Sequence, residues 1–260
     1  MEVISPRRHS LPNSPSRFPL QKLIYTVLNI KGRFLAEERL GMTRGNDKEV
    51  MTKRRSSVPE IHAIFWDVGG VLLSNAWDHT ERAAALEHFR LDEAEFHARH
   101  EMVVSSFERG KISLDEYLDR TVFYKDRSFT REEFRDYMFS LSQPMTDVLA
   151  FARTLADSGK YFMGTINNES RELNLHRIEK YGLREIFRLF VSSCFVGLRK
   201  PESGIYRLAI ETTQIKPEQC CFIDDRALNL ECAAKLGMRT IQMQTLEQLR
   251  EELRKLGVKA

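Results

Sequence analysis

The chain has 260 residues, 42% of them hydrophobic, with 40 Lys+Arg against 37 Asp+Glu and a formal charge of +3. That length suits one catalytic domain plus a small accessory one. No stretch reaches the roughly 18 uninterrupted apolar residues of a membrane span, and the four cysteines lack the C-x-x-C spacing of a zinc site or the pattern of a disulfide framework.

Residues 1–60 hold 12 Lys+Arg against 6 Asp+Glu, so the positive charge is a basic tail on a slightly acidic body. The Pro/Ser/Arg composition of Ser5–Pro19 reads as disorder rather than as a nucleic-acid or lipid anchor. In Leu20–Ile30 the apolar residues are bracketed by Lys22 and Lys31 and diluted by Tyr25, Thr26 and Asn29, against a signal peptide. Glu37 and Glu38 spoil a transit peptide. Residues 1–59 are therefore expected to be a basic extension, with Met51 as an alternative start. A cytoplasmic protein, with neither nucleic-acid nor membrane partners, is the expectation.

From there strands and helices alternate. Strand-like runs fall at Ala63–Trp66, Tyr161–Ile166, Leu189–Ser193, Cys220–Ile223 and Thr240–Met243. Helical patterns cover Thr146–Asp157, Ser170–Tyr181, Glu202–Thr212, Ala227–Leu236 and Leu246–Leu256. Such alternation predicts an α/β fold, a doubly wound parallel sheet covered on both faces. Residues 76–142 interrupt it with amphipathic helices only, at Thr80–Phe89, Asp92–Phe107, Ser113–Val122 and Thr130–Leu141, two of them opened by the capping boxes Ser113-x-x-Glu116 and Thr130-x-x-Glu133. The expected division is a core of residues 60–75 and 143–260 with an inserted helical cap, 76–142. His97 and His100, three apart on one helix, are expected on an exposed polar face, with no third metal ligand nearby.

Three pieces carry chemistry. Asp67 ends an apolar run and precedes Gly69-Gly70, Arg199-Lys200-Pro201 follows the third strand, and Asp224-Asp225 ends the fourth. Carboxylates at the carboxyl ends of parallel strands stand where such sheets bind ligands. Alone, Asp224 and Asp225 could serve as helix caps, and Lys200 could be a solvated surface lysine.

In this order and around a helical insert, the pieces resemble the haloacid dehalogenase superfamily of aspartate-nucleophile hydrolases, with a C1-type cap. The resemblance implies neighbouring first and fourth strands and a phosphomonoester hydrolase. Asp67 would attack phosphorus to give an aspartyl phosphate, and Lys200 would balance charge. Mg²⁺ would be held by Asp67, the Gly69 carbonyl, Asp224 and Asp225, since hard oxygen donors suit magnesium. The substrate implied is a small phosphorylated metabolite, of which a sugar phosphate is one example.

Two positions depart from the family pattern. Most of its phosphatases carry a second Asp, a general acid and base, where this chain has Gly69. At the end of the second strand the family has a Ser or Thr that meets the phosphoryl oxygen. Here one register gives Thr165 and another Asn167, which can donate the same hydrogen bond, with Asn168 beside it as a phosphate contact or a helix cap. Dehalogenases lack the paired acids, so Asp224-Asp225 favours phosphate chemistry over 2-haloacid dehalogenation or a non-catalytic binding role. Trp77, His79, Phe107, Arg109 and Tyr124 are the candidate cap contacts, although Phe107 and Tyr117 are expected to pack inside the bundle.

Overall fold

The computed structural model describes residues 59–259, so the expectations for the basic extension and Met51 fall outside the described residues. Five parallel strands form one sheet: β1 (Ala63–Trp66), β2 (Phe162–Asn167), β3 (Leu189–Ser192), β4 (Cys220–Asp224) and β5 (Arg239–Gln242), in the order β3-β2-β1-β4-β5. As expected, β1 and β4 are neighbours, Ala63 opposite Cys220 and Trp66 opposite Ile223. The pairing runs one residue further, because Asp67 N donates to Ile223 O at 2.8 Å.

All four β1 residues are fully buried, as befits the middle strand of a sheet covered on both sides. Alternation then sends side chains to opposite faces. Ile64 and Trp66 join Met163, Cys221, Ile223 and Ile241 under α5 (Thr146–Asp157), α6 (Arg171–Lys180) and α10 (Leu246–Lys255). Ala63 and Phe65 join Ile166, Val191 and Phe222 under α8 (Ser203–Thr213) and α9 (Ala227–Lys235). A four-residue helix, α7 (Ser193–Val196), follows β3 directly. No helix among the described residues is long and apolar enough to cross a membrane.

Between β1 and α5 lie α1 (His79–His88), α2 (Glu93–Glu108), α3 (Leu114–Thr121) and α4 (Arg131–Ser140). Both expected capping boxes form, Ser113 with Glu116 and Thr130 with Glu133, each satisfying two otherwise orphaned backbone donors. These helices bury a hydrophobic cluster of their own around Phe96, Phe107, Tyr117, Leu118, Phe134 and Met138. Phe107 stacks on Tyr117 at 4.1 Å between ring centroids.

One expectation fails on α2. His97 and His100 do not share an exposed polar face, since His100 is only 3% exposed. Its Nδ1 lies 2.8 Å from Tyr117 Oη, which accepts the Trp77 indole N–H at 2.9 Å. The α2 pattern placed polar residues outward, and a hydrogen-bonding chain inside the insert overrides it.

Candidate active site

Asp67 leaves β1 at the carboxyl end of the sheet, and the chain turns back at once. Leu72 N and Leu73 N both donate to Val68 O. Gly70 sits at φ +74°, where glycine carries no penalty, and a Cβ there would lie 2.3 Å from Asp225 Oδ2. The second glycine is thus required by the close approach of the turn to the acid on the next strand.

Three carboxylates converge here. Asp67, Asp224 and Asp225 offer oxygens that all lie within 4.8 Å of one another. Lys200 Nζ bridges two of them, at 2.7 Å from Asp67 Oδ2 and 2.6 Å from Asp224 Oδ2, with Lys200 and Asp224 essentially inaccessible. Asp67 Oδ1 accepts from Val68 N at 2.8 Å. Asp224 is further held by Arg226 N at 2.8 Å and by the Asn229 amide at 3.0 and 3.1 Å. Neither acid caps α9, whose N-cap is Arg226 and has no side-chain cap.

Burial pushes the Asp67 carboxyl up to about 7 despite the attraction of Lys200, with the Asp224 charge pushing the same way. Burial and then Asp224 also raise Asp225. Asp225 Oδ1 is buried with no hydrogen-bond partner. Three clustered hard oxygen donors, with one oxygen of Asp225 left orphaned, fit a divalent cation such as Mg²⁺.

Above these groups opens a cavity of about 240 Å³, lined from the core by Asp67, Gly69, Asn168, Glu169, Arg177, Arg199, Lys200 and Arg226. The segment after β1 and the insert helices add Asn75, Trp77, Asp78, Arg82 and Glu108. Ion pairs between lining residues join the two sides, Arg226 with Asp78 at 2.6 Å and Arg199 with Glu108 at 2.7 Å, and outside the lining Arg109 pairs with Glu202. Deeper, Arg177 Nη1 pairs with Glu169 at 2.8 Å while Nη2 donates to Ser74 O at 2.7 Å. Burial raises both Glu108 and Glu169 above the ordinary carboxylate range.

A family model described as haloacid dehalogenase-like hydrolase matches residues 61–237, most of the chain. The chain belongs to the haloacid dehalogenase-like hydrolases. Among curated relatives, Flavin mononucleotide hydrolase 1 from Arabidopsis thaliana is 29% identical over 160 residues, covering 62% of this chain and 64% of that protein. Bifunctional epoxide hydrolase 2 from Sus scrofa is 24% identical over 214 residues, covering 75% of this chain and 39% of that one. The chain thus spans less than two thirds of either relative.

Solved structures agree on the fold. A HAD family enzyme from Bacteroides thetaiotaomicron has a TM-score of 0.66 at 21% identity, over 75% of this chain and 100% of that one. The same enzyme in complex with magnesium and inorganic phosphate gives 0.59 at 21%, over 71% and 94%. A dehalogenase gives 0.55 at 17%, over 78% and 100%.

Of the two candidates at β2, neither Thr165 nor Asn167 is among the residues that line the cavity, as Asp224 and Asp225 are not. Thr165 is fully buried, its Oγ1 unpartnered inside the sheet. The Asn167 amide is engaged, accepting from Ser192 Oγ at 2.8 Å and donating to Asn174 at 3.0 Å. Asn168 does line the cavity, and it is no helix cap. Its Oδ1 accepts from Lys200 N at 2.8 Å and its Nδ2 donates to Lys200 O at 2.9 Å.

Of the five candidate insert contacts, only Trp77 reaches the cavity. Phe107 is core, Arg109 is drawn to Glu202 and to Gly197 O at 2.9 Å, and Tyr124 lies under the Arg99 guanidinium at 3.4 Å. Exposed His79 stacks on His97, which with Glu93 forms a second group offering ligand atoms within 4.8 Å, so the expectation of no third ligand near His97 fails too. Sequence reasoning missed Asp78, Arg82, Glu108 and Asn229. Only Asn229 left a trace, an amide one helical turn beyond Asp225.

Proposed function

We propose that this haloacid dehalogenase-like hydrolase is a Mg²⁺-dependent phosphomonoester hydrolase of a small phosphorylated metabolite. The observation that carries the reading is the triad of Asp67, Asp224 and Asp225 with Lys200 bridging Asp67 and Asp224. A hydrolase of a flavin phosphate among its relatives supports it. So does a cavity of about 240 Å³, below the usual range of small-molecule sites of roughly 300–1,000 Å³.

Asp67 is the nucleophile. Its carboxylate attacks phosphorus, the ester oxygen leaves, and water then hydrolyses the acyl phosphate to release inorganic phosphate and restore the carboxylate. Lys200 holds Asp67 in place and offsets negative charge that would repel the attack. Asp67, Asp224, Asp225 and the Gly69 carbonyl would hold Mg²⁺, which would supply positive charge against the phosphoryl oxygens. Asn168 fixes the Lys200 backbone from the cavity wall. The insert helices act as a cap that closes over the substrate through the ion pairs that join the two sides.

With Gly69 in place of a general acid, a leaving group that is already a weak base is favoured, as the anomeric oxygen of a sugar 1-phosphate is. Phosphate release by the full chain and by Asp67→Asn, each with Mg²⁺ or EDTA, tests the reading on a panel of phosphomonoesters that includes sugar 1-phosphates. Metal-dependent release lost in the variant is expected. Chloride from chloroacetate without phosphate release would establish a dehalogenase instead, and neither product would leave a binding protein.

A further inference from the structure

Five cationic side chains line the cavity, and four are matched to carboxylates: Lys200 to Asp67 and Asp224, Arg177 to Glu169, Arg199 to Glu108 and Arg226 to Asp78. Arg82, on α1, is the fifth. It forms no ion pair with a carboxylate among the described residues. Its Nη1 donates to Trp77 O at 2.7 Å, and its Nε is buried without a hydrogen-bond partner.

The guanidinium is also held firmly. Trp77 packs edge-on against Phe96 and Phe134, at 6.4 and 5.9 Å between centroids, and its indole donates to Tyr117. The carbonyl that receives Arg82 is thus anchored in the hydrophobic cluster of the insert. A half-buried arginine fixed at one nitrogen and unsatisfied at another is costly unless something else meets it. An arginine fork fits a carboxylate or phosphate in two parallel hydrogen bonds.

Resting on the phosphatase reading, we propose that Arg82 is a specificity-determining residue that binds a second anionic group of the substrate, a carboxylate or second phosphate on the leaving group. The reacting phosphoryl group is held by the core, and the second anion by the insert. The substrate class is then a small phosphomonoester with two anionic ends, and closure of the insert is coupled to its presence.

The test uses matched pairs that differ only in the second anion: 3-phosphoglycerate against glycerol 3-phosphate, and glucose 1,6-bisphosphate against glucose 1-phosphate. In the full chain with Mg²⁺, the doubly anionic member of at least one pair is expected to have the higher kcat/KM, about tenfold or more. Arg82→Gln should cut that ratio at least tenfold, mainly through KM, and Arg82→Lys should restore part of it. A ratio near one in the unaltered protein, or one that Arg82→Gln leaves alone, would overturn the proposal.

Binding separates this failure from failure of the phosphatase reading. If no ester is turned over, that reading falls, and the rise in melting temperature given by each ester to Asp67→Asn and to Asp67→Asn/Arg82→Gln decides for Arg82. A larger rise with the doubly anionic esters that disappears with Arg82→Gln supports the anion site. Equal rises, or none with any ester, overturn it.

Discussion

Asn168 clamps Lys200 by its backbone, accepting from Lys200 N at 2.8 Å and donating to Lys200 O at 2.9 Å. One amide thereby fixes the end of β2 to the loop that carries the bridging lysine. The planar Asn amide does both at once, its carbonyl oxygen accepting while its NH₂ donates. Asn168→Ala removes both bonds and lets Lys200 drift from Asp67 and Asp224. Displacement of a catalytic group by about 1 Å can cost roughly 10²-fold, so phosphate release should fall about 10- to 100-fold, in kcat more than in KM. Asn168→Asp keeps the acceptor but loses the donor, and should fall as far. Steady-state kinetics with a good ester decides, and unchanged kcat in both variants would reduce the clamp to a structural detail.

A second prediction concerns the metal and pH. In the folded protein Asp67 titrates near 7 against an ordinary 3.8. A raised carboxylate costs stability as pH climbs through that window, because the unfolded chain releases its proton first. Mg²⁺ binds the ionised form, so its affinity should rise with pH over the same window. The melting temperature with Mg²⁺ minus that with EDTA should thus be larger at pH 8 than at pH 5.5, and should collapse in Asp225→Asn. An equal shift at both pH values would place the metal away from Asp67.

How far the sequence foretold this site depends on the distance over which each signal acts. Strand ends were readable because apolar runs stop where charge begins, and Asp67, Asp224 and Asp225 do cluster. The capping boxes of Ser113 and Thr130 were readable because they close within four residues. What stayed hidden was side-chain direction across long separations. Arg82, Asp78 and Glu108 look like ordinary helix-surface charges in the sequence, and only the fold of the insert turns them to the cavity. Asn167 looked free to meet phosphate, since its partners Ser192 and Asn174 come from other elements. His100 looked exposed for the same reason.

The position of the missing acid can be refilled. Gly69 has no left-handed φ, and the nearest atoms to a Cβ there would be Asn75 Oδ1 at 3.0 Å, with Arg177 Nη1 and Asn75 Cα both at 3.8 Å. Gly69→Asp is therefore accommodated by a small shift of the Asn75 side chain. A positioned acid is worth about 10²–10⁴-fold where the leaving group is a strong base. Turnover of an alkyl phosphate should rise at least about tenfold relative to a sugar 1-phosphate, which needs the proton less. Gly70→Ala, one residue away, should do the opposite, because its Cβ would strike Asp225 Oδ2 at 2.3 Å. Loss of Mg²⁺ dependence in Gly70→Ala, with no such loss in Gly69→Asp, would separate the two glycines. A Gly69→Asp protein with an unchanged substrate ratio would show that proton donation is not what this site lacks.

The insert carries an acid-sensitive element, linked to the cavity through Trp77. Tyr117 Oη accepts the Trp77 indole N–H, which leaves its own O–H available to donate to Nδ1 of a neutral His100. Burial lowers its pKa from 6.5 to about 4. A depressed histidine contributes its full stability above the unfolded value and loses it as pH falls from 6.5 towards 4, where the unfolded chain takes up the proton first. The size of that loss is roughly 2 kcal/mol between pH 7.5 and 4.5. His100→Gln cannot take up the proton, so urea unfolding should show a shallower acid limb in the variant by about that amount, despite lower stability at pH 7.5 from imperfect packing. Parallel acid limbs in the two proteins would mean that the protonated ring is accommodated within the insert, with the Tyr117 hydroxyl turning to accept from His100.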